Sequence, residues 1–302
     1  MTNMRRPRSP ADFVRSSPVA TAHAQSTLLP SSWLGELELW LEARDGRTSL
    51  MRSRHVGPLV VQRPFHPEAD GTCHVYLLHP PGGVAGGDTL ETTIHLGPGT
   101  RTLLTTPGAT KFYRSTHGRS EQRMSISVGE DAVCEYLPQE TILFDGADAL
   151  IDMQVSLAAG ATYAGWDFLS LGRPAADEKF TNGRIRQRIQ VFHDGKPVWF
   201  ERLHLTAGSP LSRASYALAD QPILGTMIYV GNAAEDCAER VREALRERAA
   251  AVFSVSQLEG VIVCRYLGPR LSQAKSLFAR AWDVLRTACQ GKPANAPRIW
   301  AT

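Results

Sequence analysis

The sequence predicts a mainly β protein, a two-layered antiparallel or β-helix-like sheet scaffold with two C-terminal helices packed on it. Three observations predict it. Between residues 34 and 210 apolar and polar side chains alternate with period two, the mark of strands with one wet face. Turn residues interrupt this alternation at short intervals, and Asn182-Gly183 and Asp194-Gly195 carry hairpin chemistry. Beyond residue 233 the apolar period lengthens to that of an amphipathic helix.

Residues 1–32 are rich in Arg, Ser, Pro, Thr and Ala and cannot bury enough apolar area to order themselves, so a disordered tail is expected there. Residues 33–302 are expected to fold as a single domain. In its first strand Leu37, Leu39 and Leu41 oppose Glu36, Glu38 and Glu42. Further on, Leu90, Thr92, Ile94 and Leu96 oppose Glu91, Thr93 and His95, and the same pattern recurs around Met124 to Val128 and Ile151 to Leu157. About a dozen such runs, with no helical period between them, favour packed antiparallel sheets over a βαβ architecture. No fixed-length repeat is evident. Cys237, Val241, Ala244 and Leu245 then share one helical stripe opposite Glu239, Arg242, Glu243, Arg246 and Glu247. A short strand at Val261 to Tyr266 leads to a second helix, marked by Leu271, Ala274, Phe278, Ala281, Trp282 and Leu285 and closed by Gly291 and Pro293.

Composition removes several function classes. In 302 residues, 43% hydrophobic and 21% charged is ordinary for a folded globular chain. A net charge of +3, from 33 basic against 30 acidic residues, gives no basic footprint for nucleic acid. The five cysteines are widely spaced, odd in number and free of any C-x-x-C, so they read as reduced thiols rather than a disulfide framework or zinc clip. No window approaches the ~20 apolar residues of a membrane span, and no apolar stretch follows Arg5-Arg6, so the expected compartment is the cytoplasm.

Nucleophile elbows and H-E-x-x-H helices are absent from the sequence. The glycine-rich run from His79 to Asp88 lacks the G-K-[S/T] of a phosphate loop and leads into a strand, which favours a structural turn. His74 and His79 fall on opposite faces of an extended run and do not suit a shared metal. Arg184, Arg186 and Arg188 line one strand face, which would suit an acidic partner but is read more simply as a solvated face. Three carboxylates stand out because their surroundings are apolar. Glu201 shares a face with Trp199, Leu203 and Leu205; Asp167 lies between Trp166 and Phe168 and shares its face with Leu169 and Leu171; Asp88 closes the glycine loop. A buried carboxylate must be paired, protonated, metal-bound or in contact with internal water, and Arg202 and Arg173 are the nearest partners in sequence.

Several long motifs occur in a fixed order: HVGPLVVQRPFHP from His55, HPPGGVAGGDTL from His79, TTPGATKFYRS from Thr105, LPQETILFDGA from Leu137, GWDFLSLGRP from Gly165, ERLHL from Glu201 and PRIWAT from Pro297. In these the chain resembles the UreD (UreH) family of urease accessory proteins, over roughly residues 33 to 302. Ala85 and His66 depart from the expected larger aliphatic residue and tyrosine. The resemblance implies a helix-decorated, two-layered β structure without catalysis. It implies binding to UreF, through UreF to UreG, and docking of that assembly on apo-urease to support nickel insertion. It also implies an internal water-filled nickel route with Asp88, Thr110, Asp167 and Glu201 along it, nickel being transient cargo and no cofactor being permanently bound. The terminal Arg298-Ile299-Trp300 segment and the helix at 271 to 288 are expected to face UreF, since a terminal tryptophan is costly to leave in water. Two other readings remain open at this point: an enzyme using Glu201 and Asp167 as an acid/base pair, and a binding module with an exposed aromatic platform.

Overall fold

A computed structural model describes residues 32–233, 235–246 and 252–301. All of the expected disordered tail except Ser32 lies outside the described residues. The chain opens on a hairpin of β1 (Leu34–Arg44) and β2 (Arg47–Val56), turned by Asp45-Gly46. A two-residue β3 (Val60–Val61) leads to β4 (Cys73–Leu78). From there the chain winds. It passes through β5 (Thr89–Leu96), β6 (Arg101–Thr105), β7 (Thr110–Phe112), β8 (Ser120–Val128), β9 (Val133–Tyr136), β10 (Thr141–Leu143), β11 (Asp148–Leu157), β12 (Thr162–Arg173), the short β13 (Glu178–Lys179) and β14 (Arg184–His193).

Successive long strands fall alternately in two sheets. One sheet runs β15-β14-β11-β8-β5-β1-β2, where β15 is Lys196–Thr206. The other holds β4, β6, β9 and β12 side by side and continues through β16 (Ile223–Val230), β18 (Val261–Gly268) and β17 (Val252–Leu258). Within each sheet the inner neighbours are parallel, as in β5-β8-β11-β14 and β4-β6-β9-β12. The expectation of antiparallel pairing therefore holds only at the flanks, and the β-helix-like form describes the interior. Parallel neighbours ordinarily need a long crossover; here each corner delivers the chain to the opposite sheet, so a full coil separates neighbours and no helix is required. Asn182-Gly183 is such a corner and not a hairpin, since β13 pairs with β12 while β14 pairs with β11. Asp194-Gly195 does turn a hairpin, β14 into β15, with both residues at positive φ as a type I′ turn requires.

Stacked coils align like residues. Leu39, Ile94, Ile126, Val155 and Val191 lie in one register row across five strands, and each is fully buried. A narrow third face aligns Val84, Phe112, Leu143 and Leu171. These rows form the core between the sheets. A second core lies outside the larger sheet, under α2 (Cys237–Leu245) and α3 (Leu271–Gln290), the two helices expected from the sequence. The four-residue α1 (Pro210–Arg213) precedes β16. Strand β12 is sandwiched between the two cores, which explains its two apolar faces: Tyr163, Leu169 and Leu171 point to the first, while Trp166 and Phe168 meet Trp282 and Phe278 of α3. No helix among the described residues is long and apolar enough to cross a membrane.

Gly165 shows how tight the inner face of β12 is. A Cβ there would lie 2.0 Å from the Tyr163 hydroxyl, because the Tyr163 ring lies across the glycine toward Asp167. Gly165→Val is expected to cost about 1–3 kcal/mol through forced displacement of that ring. Urea titration checks this, and a midpoint equal to that of the parent chain would show the ring to be free to move.

Candidate functional site

A cavity of about 620 Å³ opens where β14 and β15 of one sheet face β12, β16 and β18 of the other. Register sets its polar floor. Asp167 of β12 lies opposite Thr226 of β16, which lies opposite Arg265 of β18. Across the gap, Gln187 of β14 and Glu201 of β15 point inward from the neighbouring sheet. Hydrogen bonds cross in both directions: Gln187 Nε2 donates to Asp167 Oδ2 at 2.7 Å, and Thr226 Oγ1 donates to Glu201 Oε1 at 3.1 Å. Arg265 donates to both Glu201 oxygens, each at 3.1 Å, in the bidentate geometry that a planar guanidinium favours.

The two acids are thus in different states. Glu201 has a fixed counter-charge. Burial pushes the Asp167 carboxyl up to about 6; the Gln187 hydrogen bond opposes this and the Glu201 charge adds to it. Burial, and then the negative charge of Asp167, raise the Tyr136 phenol well above its ordinary value. The site therefore combines one paired carboxylate, one carboxyl poised near neutral pH and a fringe of neutral phenols. Oxygen donors of this kind suit a divalent cation held weakly, and Arg265 already occupies the place of such a cation on Glu201. Among the described residues no three His, Cys, Asp or Glu side chains converge as a metal cage.

The expected arginines do not pair with the acids. Arg202 follows Glu201 in the strand, so alternation sends it to the outer face, where it stacks on Phe200 at 4.9 Å. Arg173 pairs with Glu178 and lies 4.3 Å over the Phe144 ring. The true partner, Arg265, is 64 residues from Glu201.

Asp88 and Thr110 do not line this cavity. Asp88 accepts from the Trp33 amide at 2.9 Å and the Ala85 amide at 3.1 Å, which ties the start of β1 to the glycine loop. Thr110 sits on the third face, paired with Thr141. His79 lies near enough to Asp88 to feel its charge, while His74 is buried against Glu68. Arg184 and Arg188 lie in register with Asp148 and Asp152 and bond to them on the solvated face. Trp300 packs its ring on Trp166 and Trp282 and donates from Nε1 to Thr105 Oγ1 at 3.0 Å. The ring is thus only partly covered by the chain itself, and part of its surface stays exposed.

One constellation had no expectation in the sequence. Arg286 of α3, fully buried, donates to Glu68 at 2.8 and 2.7 Å and lies 3.2 Å from Glu135. His74 and Lys292 also contact Glu68, at 2.9 and 3.0 Å, and Trp282 Nε1 donates to Glu135 at 2.8 Å. The one local signal is that Arg286 falls beside Leu285 and four residues after Trp282, on the apolar stripe of its helix.

Sequence comparison supplies the family. The family model described as "UreD urease accessory protein" matches residues 34–301. The chain belongs to the UreD family. Relatives include "Urease accessory protein UreD 2" of Brucella anthropi, 57% identical over 91% of this chain and 100% of the relative. UreD proteins of Dechloromonas aromatica and Azoarcus sp. are 43% and 40% identical, over 90% and 89% of this chain and 95% and 94% of the relatives. These UreD relatives are named as accessory proteins, not as enzymes. The UreD match spans both sheets and both C-terminal helices, so the cavity and the buried Arg286 network lie within it.

Proposed function

We propose that this chain serves urease maturation as a non-catalytic metallochaperone scaffold. In this reading it binds apo-urease together with UreF, and with UreG through UreF, in the cytoplasm, and supports nickel insertion into the urease active site. The observation that carries the reading is the family match over residues 34–301. Nickel is cargo and no cofactor is held permanently. Asp167 and Glu201 are the proposed stopping point of the ion, with Arg265 holding the site closed until a cation displaces it. Asp88 and Thr110 are proposed as outlying points of the same route, and the Trp300 segment as part of the UreF-facing side.

The test is urease activity and nickel content in cells carrying the urease operon, with this gene deleted and then restored. The expected result is full-length urease without activity or nickel in the deletion, both recovered on complementation, and co-purification of the chain with UreF and urease subunits. Normal urease in the deletion strain would overturn the proposal.

A further inference from the structure

Two cysteines that look isolated in the sequence meet in the fold. Cys237 begins α2 and is fully buried; Cys289 lies one residue before the end of α3 and is half-buried. Their sulfurs are 3.6 Å apart across 52 residues of chain. A disulfide needs about 2.0 Å between sulfurs, so closure requires an approach of about 1.5 Å between side chains already in contact. Cys73 and Cys134 lie in the core between the sheets and Cys264 in the core under the helices, all three buried.

We propose that Cys237 and Cys289 are a redox-responsive pair that closes into an intramolecular disulfide, stapling α2 to the last turn of α3 when glutathione disulfide accumulates. The half-buried Cys289 thiolate attacks glutathione disulfide and releases one glutathione thiolate. Cys237, losing its proton, then attacks the Cys289 sulfur of the mixed disulfide and expels the second glutathione. Two protein thiols are oxidised, one glutathione disulfide is reduced to two thiols, and the sulfur and electron counts balance. Burial pushes the Cys289 thiol up to about 11, against a hydrogen bond from Tyr229, so the thiolate is scarce and closure is slow. The pair thus answers sustained oxidation, not brief pulses.

The staple acts on an element that needs it. Helix α2 has nine residues, too few to be stable alone in water, and is held by Cys237, Ala238, Val241 and Leu245 and by Arg242, which donates to the Val255 carbonyl. A covalent link across 52 residues restricts the unfolded chain and fixes α2 in place.

The full-length chain is incubated with glutathione disulfide, free thiols are blocked, and peptides are mapped by mass spectrometry. The expected product is one intramolecular link between 237 and 289, lighter by two hydrogens and reversed by dithiothreitol, with the melting temperature raised by roughly 5–10 °C. Cys237→Ser and Cys289→Ser each abolish the link and the rise, while Cys264→Ser leaves both. Circular dichroism confirms that each variant is folded, and Cys289→Ala replaces the serine variant if it is not. A stable glutathione adduct on Cys289 with Cys237 free, a link between two chains, or two unmodified thiols would each overturn the proposal.

Discussion

Arg286→Met is expected to destabilise the protein by about 3–5 kcal/mol, the scale of removing one partner from a buried charge network. Methionine fills the guanidinium's space under Trp282 with an apolar chain, so the loss is electrostatic and not a cavity. It strands Glu135, which has 1% exposure, and takes two of the hydrogen bonds from Glu68. Burial would raise the Glu68 carboxyl, but bonds from His74, Arg286 and Lys292 outweigh it and hold the group at about 2. Glu68 is held below its ordinary value of 4.5, so its contribution is complete above pH 4.5 and drains away as the pH falls toward 2. That contribution is about 3 kcal/mol, and in Arg286→Met the acid limb of the stability curve should flatten. Urea unfolding from pH 7 down to pH 3 checks both statements. A loss of less than about 1 kcal/mol at pH 7 would mean that the Lys292 charge and the His74 hydrogen bond hold Glu68 without Arg286.

Asp167→Asn is expected to make the protein more stable and less effective. Asn keeps the size and an oxygen to accept from Gln187, but carries no charge in the cavity wall. Because the Asp167 carboxyl is raised to about 6, its ionisation opposes folding: the fold is most favoured below pH 3.8 and loses that advantage as the pH rises through 6. Removing the charge should therefore stabilise the chain at pH 7.5 by about 1–2 kcal/mol, after allowance for the open side of the cavity. Urease activation in operon-bearing cells should fall about tenfold, equivalent to about 1.4 kcal/mol of lost ion binding, with UreF still co-purifying. Glu201→Gln should lower activation similarly but without the gain in stability, since it frees Arg265 from its only bidentate acceptor among the described residues. Full activation in both variants would remove these carboxylates from the nickel route, whereas loss of the UreF complex would assign them a folding role.

What was legible in the sequence was what repeats at short range. Alternation identified Leu37-Leu39-Leu41 and its counterparts as inward rows, and the helical stripes ending at Gly291 gave α3. The acids were legible because Asp167 and Glu201 interrupt otherwise apolar faces. Strand direction was not, because period two is the same for parallel and antiparallel neighbours. Asn182-Gly183 carried hairpin chemistry yet serves a corner, where tertiary pairing with β11 overrides the local signal. Strand β17 is absent from the predicted strands, while its partner β18 is among them. Arg265 with Glu201, Arg286 with Glu68 and Cys237 with Cys289 are joined across 64, 218 and 52 residues, and contacts at that separation leave no mark on local pattern.

Parallel coils have an open-ended geometry: the last rung of a stack presents unpaired amides and carbonyls on which another copy could continue the ladder, rung upon rung, into a fibre. In the smaller sheet both ends are built to discourage such growth. The chain reverses into β2 at one edge and β15 at the other, so the outermost strand runs against the grain of the stack. Each terminal strand also exposes cations, Arg47, Arg52 and Arg54 on β2 and Lys196 and Arg202 on β15, so two copies meeting edge to edge would repel. The reversed, cation-bearing edge strands thus disfavour continuation of the ladder from one copy to the next.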